Sequence, residues 1–142
     1  MHRPKIFLVD DSRGDGVLLD LAFVEAGRSV NIVQAYDGTQ AFELLHLAVG
    51  QLPFPYRLIV LDLHLPKVDG LELLLGLKSW PELSRVPIVI LTTSTTAHER
   101  EGIENCHCAL LTKPNDYSGL AAVVADLISY MSPADSGRPL AG

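Results

Sequence analysis

Four short apolar runs punctuate the chain, and each stops at a polar residue able to do chemistry. Ile6-Phe7-Leu8-Val9 ends in Asp10-Asp11, and Leu58-Ile59-Val60-Leu61 ends in Asp62. Ile88-Val89-Ile90-Leu91 ends in Thr92, and Ala109-Leu110-Leu111-Thr112 ends in Lys113-Pro114. Runs of this length, rich in Val, Ile and Leu, read as strands of a parallel sheet buried on both faces. A fifth strand, Val30 to Ala35, is only half apolar. Helical patterns lie between the strands. Residues 13–26 are rich in Leu, Val and Ala and stop at Gly27, a natural residue just past a helix end. A second helix runs through Ala41, Phe42, Leu44, Leu45, Leu47 and Ala48, and Pro53 and Pro55 break the segment after it. A turn over 65–70 leads into a Leu-rich helix to about Ser79. Residues 97–104 predict a short polar helix, and 117–131 a longer one.

The alternation of strand and helix implies right-handed crossovers and an α/β, doubly wound, five-stranded parallel sheet with helices on both faces. In the flavodoxin-like order 2-1-3-4-5, the first and third strands flank the point where the winding reverses. Ligands of such sheets bind beyond the carboxyl ends of the strands there. Asp10, Asp11 and Asp62 are thus expected to face one another, with Thr92 and Lys113 beside them.

The 142 residues make one domain, with a core over 1–131 and a Pro/Gly/Ser-rich extension over 132–142, expected to be loose or dimer-associated. No stretch reaches the roughly 20 apolar residues of a membrane span, and no apolar region suits a secretory signal, so the expected location is the cytoplasm. The net charge of −6 with scattered Lys and Arg argues against a nucleic-acid partner. Cys106 and Cys108 flank His107, but a closed zinc site wants four ligands and no second pair is spaced to complete one. They read as small residues entering a strand in a reducing compartment.

Like charges 4 Å apart repel by about 4 kcal/mol at an effective dielectric of 20, so three clustered carboxylates must take up protons or bind a cation. Oxygen-only ligands select a hard ion such as Mg²⁺. A cation, a lysine and a hydroxyl together suit a phosphoryl group. A carboxylate can itself be the nucleophile, forming an aspartyl phosphate. Asp62, alone at its strand end, is the candidate; Asp10 and Asp11 are better placed as metal ligands.

Taken together, Phe7-Leu8-Val9-Asp10-Asp11-Ser12, Leu61 to Gly70, Leu91-Thr92-Thr93-Ser94 and Thr112-Lys113-Pro114 resemble the response-regulator receiver domain of two-component signalling over residues 5–131. The resemblance implies that Asp62 accepts a phosphoryl group from a histidine kinase. It implies that Asp11, Asp62 and the main-chain carbonyl of His64 hold Mg²⁺, with Asp10 acting through a bound water. Thr92 is then expected to hydrogen-bond the phosphoryl group, Lys113 to pair with it, and the Lys113–Pro114 bond to be cis. The chain is similar to single-domain regulators paired with bacterial phytochrome kinases. That implies a homodimer through the last strand, last helix and extension. Output is expected to pass through protein contacts or onward phosphotransfer. No enzymatic activity is expected beyond the protein's own phosphorylation and dephosphorylation.

Leu110 stands where the family usually carries an aromatic switch residue. His64 is expected to overhang the site, either tuning hydrolysis of the aspartyl phosphate or as an exposed bystander. Helix 13–26 bears two apolar stripes, Leu18, Leu19, Ala22, Phe23 and Ala26 on one and Val17, Leu21 and Val24 on the other. Only one can face the sheet fully, and the second is expected to dock the kinase's phosphorylatable helix, with wider burial as the alternative. Three alternatives remain. A haloacid-dehalogenase-like phosphohydrolase wants a second Asp where His64 stands. A flavodoxin-like cofactor binder wants a phosphate loop where Asp10-Asp11 stand. A receiver-like dimerisation module needs no phosphate, and the complete Asp10, Asp11, Asp62, Thr92, Lys113 set argues against it.

Overall fold

The strands take their place because residues alternating along each one find an apolar layer on both sides. In the computed structural model, which describes residues 3–131, five parallel strands lie in the order β2-β1-β3-β4-β5. They are β1 (Lys5–Val9), β2 (Asn31–Ala35), β3 (Tyr56–Leu61), β4 (Ile88–Thr92) and β5 (Ala109–Thr112). The helices are α1 (Arg13–Glu25), α2 (Gly38–Val49), α3 (Gly70–Lys78), α4 (Ala97–Asn105) and α5 (Leu120–Tyr130). Two apolar layers hold the sandwich. On one face Ile6, Leu8, Leu58, Val60, Val89 and Leu91 pack with Leu19, Ala22 and Phe23 of α1 and Val124 and Leu127 of α5. On the other, Phe7, Val9, Ile59, Leu61 and Ile90 pack with Ala41 and Leu45 of α2, Leu74 and Leu77 of α3 and Ile103 of α4.

Caps set where the helices begin. Ser12, Asp37 and Asp69 each accept a main-chain N–H of the first turn, and Thr96 and Glu99 form a reciprocal capping box on α4. Gly27 ends the α1 region at φ 77°, the left-handed conformation its sequence position predicts.

Several expectations shift. The last helix is a 3₁₀ turn, Tyr117–Gly119, followed by α5, rather than one helix over 117–131. On α1, Leu18 and Ala26 are exposed rather than sheet-facing, because Gly16, Leu19, Ala22 and Phe23 already fill the contact. The Lys113–Pro114 peptide is trans; among the described residues the cis bond is Leu52–Pro53. The extension over 132–142 lies outside the described residues.

Gly70 opens α3 directly against the main chain of Leu63, where an added Cβ would overlap backbone atoms that cannot move aside. Gly14, on the outer face of α1, has ordinary clearance. Gly70→Ala is therefore expected to lower unfolding stability by about 3 kcal/mol. Gly14→Ala is expected to leave it unchanged or raise it by up to roughly 1 kcal/mol. Urea unfolding of both variants checks the contrast, and equal effects would contradict it.

Candidate functional site

The register of the three central strands brings their ends level. The Asp62 N–H donates to the Val9 carbonyl, the Asp10 N–H to that of Ala35, and the Lys113 N–H to that of Thr92, at 2.8–3.0 Å. These bonds continue the sheet by one residue, so the four chemical residues leave the strands at a common edge. Asp10, Asp62 and Thr92 are almost wholly buried there, at 2%, 6% and 1% exposure. Asp11 is exposed beside them. Oxygens of Asp10, Asp11 and Asp62 all lie within 4.8 Å of one another.

Lys113 gathers the cluster. Its Nζ donates to Oδ2 of Asp10, Asp62 and Asp15, each at 2.9 Å. Asp62 Oδ1 accepts the His64 N–H at 3.0 Å and the Thr92 hydroxyl at 2.9 Å. Asp10 Oδ1 accepts the Ser12 N–H at 2.8 Å. The same Ser12 caps α1 through Asp15, so the loop that aims Asp10 also starts the helix.

The two buried carboxylates are pushed apart. Burial drives the Asp10 carboxyl up, and Lys113 and the Ser12 N–H only partly offset it. Burial acts on Asp62 too, but the His64 N–H, Lys113 and Thr92 outweigh it and hold its carboxyl below the usual value. Lys113 is held firmly protonated. Burial opposes its charge, and the three carboxylates more than compensate.

His64 does reach over the site. Its Nδ1 lies 3.2 Å from the Thr92 hydroxyl, and its Nε2 faces Glu99 at 3.7 Å. Thr92 donates its proton to Asp62, so His64 Nδ1 is the donor towards Thr92 Oγ1. Leu110 is half-buried against the layer that holds α2, α3 and α4. Cys106 and Cys108 are free thiols, and they belong to no metal-ligand group among the described residues.

Asp10, Asp11, Asp62, Thr92 and Lys113 thus meet as expected. Asp15, Gln34 and Glu99 join them unannounced. Asp15 sits three residues after a capping serine, where an acidic residue reads as ordinary first-turn chemistry. Gln34 is the polar interruption in a half-apolar strand, the only signal it offered.

The response regulator receiver domain model matches residues 6–125. This chain belongs to that family. The receiver domain is 35% identical to the probable methanogenesis regulatory protein FilR2 of Methanothrix harundinacea, over 88% of this chain and 81% of the relative. It is 33% identical to response regulator Rcp1 of Synechocystis sp., over 88% and 86%. The phosphorylated cyanobacterial phytochrome response regulator RcpA superposes with a TM-score of 0.78 at 32% identity, over 91% of this chain and 94% of that one. The Mn(2+)-bound form of Rcp1 gives 0.75 at 32% identity, over 89% and 93%.

The donor set of this receiver domain fits a hard divalent ion: three carboxylates, no thiolate or imidazole nitrogen among them, one left exposed. Burial raises the Asp10 carboxyl. Because its folded value exceeds its unfolded one, Asp10 stabilises the fold most when protonated, and that contribution is lost as pH rises through the folded value. Asp62 has the opposite sign: its contribution is present above the unfolded value and lost as pH falls. In chelator, Asp10→Asn is expected to melt higher than the parent at pH 7, with the gap shrinking towards pH 4. Thermal melts across that range decide it; a gap that widens on acidification would contradict the assignment.

Proposed function

We propose that this receiver domain is a phosphoacceptor switch, taking a phosphoryl group on Asp62 from a histidine kinase in a Mg²⁺-dependent reaction and signalling through protein contacts. The observation that carries it is the single environment of Asp62. Its buried carboxyl is kept ionised by the His64 N–H, Lys113 and Thr92, which is the state a nucleophile needs. As an Asp62 oxygen bonds to phosphorus, the bond from phosphorus to the kinase's histidine nitrogen breaks. Lys113 then pairs with the transferred group, and Thr92 turns its hydroxyl from Asp62 Oδ1 to a phosphoryl oxygen.

Asp11, Asp62 and the main-chain carbonyl of His64 would hold the Mg²⁺, and Asp10 would act through a bound water. Both oxygens of Asp10 already accept protein hydrogen bonds, while the Asp11 carboxylate is exposed. Bound Mg²⁺ offsets the carboxylate charge and polarises the phosphoryl oxygens. The Mn(2+)-bound form of Rcp1 supports a divalent ion in this fold. The protein catalyses nothing beyond its own phosphorylation and dephosphorylation.

The kinase is of the phytochrome type in this reading, supported by the likeness to RcpA. It docks on α1, where Val17, Leu21 and Val24 are 55%, 47% and 59% exposed, with Leu18 beside them. A cavity of about 200 Å³ opens between Leu18 and Leu19 of α1 and Pro114–Tyr117, next to Lys113. A homodimer forms through β5 and α5, and a phosphotransfer protein or other partner reads the signal. The support is that β5 is an edge strand whose Ala109, Leu110 and Leu111 are only half-buried.

Incubation with acetyl phosphate and Mg²⁺ is expected to add one phosphoryl mass to the protein and none to Asp62→Asn. Leu21→Asp is expected to take label from acetyl phosphate at the parent rate, and from the kinase at least tenfold more slowly. An adduct on Asp62→Asn would overturn the assignment. Equal transfer from the kinase would overturn the docking face.

A further inference from the structure

The loop that carries Asp10 and Asp11 has no regular structure of its own, yet it must hold two like charges beside a third. One side chain from a neighbouring strand ties it down. Gln34, on β2, donates from Nε2 to the main-chain carbonyls of Asp10 and Ser12, both at 2.8 Å. Carbonyl oxygens only accept, so the amide nitrogen must face them and the orientation of the side chain is fixed. The two bonded carbonyls bracket Asp11, the exposed member of the acidic cluster.

The facing helix is shaped around this contact. Gly16 of α1 is buried, and a Cβ there would overlap Gln34 Oε1. Its φ is not in the left-handed region, so backbone conformation does not require glycine at this position. The space taken by Gln34 does. Two positions in different elements, Gly16 on α1 and Gln34 on β2, thus serve one placement.

We infer that Gln34 is a positioning residue for the divalent cation: by clamping the carbonyls on either side of Asp11 it holds Asp11 and Asp10 at the separation the ion needs, and Gly16 is kept small to admit it. The inference rests on the phosphoacceptor reading above and adds to it a residue that touches neither ion nor phosphoryl group. Without the clamp the loop relaxes in the direction its charges push, Asp11 away from Asp10 and Asp62. The acidic side chains are all still present, but the ion must then also supply the cost of drawing them together. Residues that orient metal ligands typically change affinity by about 10–100-fold when lost.

The test is Mn²⁺ binding to the purified full chain, read as free Mn²⁺ by electron paramagnetic resonance. Gln34→Leu keeps the approximate size of the side chain and removes both donors. Gly16→Ala leaves Gln34 chemically intact and displaces it. Each variant is expected to bind Mn²⁺ roughly tenfold more weakly than the parent. The double variant is expected to be no weaker than the single ones, since both act through one contact. Phosphorylation by acetyl phosphate should need more Mg²⁺ for half-maximal rate in both variants and reach the parent rate at saturation. A general loss of structure would lower the saturated rate as well.

Parent-like Mn²⁺ affinity in either folded variant would overturn the inference, as would additive losses in the double variant. If Gln34→Leu fails to fold, Gly16→Ala alone decides between the same outcomes. A parent protein that binds no Mn²⁺ would overturn the phosphoacceptor reading itself, and the inference with it.

Discussion

One ammonium group holds together a set of charges that would otherwise fly apart. Lys113 Nζ lies 2.9 Å from oxygens of Asp10, Asp15 and Asp62, two of them almost fully buried. At that distance and an effective dielectric of 20, each buried pair gains on the order of 6 kcal/mol in gross Coulomb energy. Burial of the charges opposes this, and so does the mutual repulsion of the carboxylates. The protein tolerates the arrangement because main-chain hydrogen bonds of the sheet hold the strand ends that carry these side chains. Val9, Ala35 and Thr92 supply the carbonyls that seat Asp62, Asp10 and Lys113. The apolar layers on both faces are what make those seats rigid.

Charge imbalance is therefore built into the resting state. Lys113 supplies one positive charge to a cluster of four carboxylates once Asp15 is counted. Burial raises the Asp10 carboxyl, while Asp62 is stabilised as an anion by directed hydrogen bonds. The two environments set the carboxylates apart: one is raised by burial, the other is held as an anion by directed donors. Thr92 stands between Asp62 and His64, so any new acceptor for its hydroxyl also alters what His64 and Glu99 feel. Leu110 leaves no aromatic ring at the position where the family usually couples such a change to the surface.

Most of this was legible in the amino-acid order. A buried parallel strand announces itself as a short run of Ile, Val and Leu, and its end is marked by the first polar residue. Asp10, Asp62, Thr92 and Lys113 could thus be placed at one edge before any contact was known. Contacts made by side chains reaching across from a helix or a neighbouring strand leave no such mark. Asp15 looks like a helix-start acid, Gln34 like an irregular strand residue, and Glu99 like half of a capping box, which it also is. Leu18 misled for a related reason. Its spacing suits the sheet-facing stripe of α1, but Leu19, Ala22 and Phe23 fill that face and turn it outward. The Lys113–Pro114 geometry, expected cis by resemblance, is trans.

The central claim is that Asp62, and not its acidic neighbours, carries the phosphoryl group. Borohydride reduces an acyl phosphate to an alcohol, turning a phosphorylated aspartate into homoserine at that position alone. Treating the acetyl phosphate-labelled protein this way and sequencing its peptides by mass spectrometry reads the acceptor directly. Homoserine at position 62, with Asp10, Asp11 and Asp15 unchanged, is the predicted result. Homoserine at Asp11 or Asp15, with position 62 still aspartate, would contradict the account.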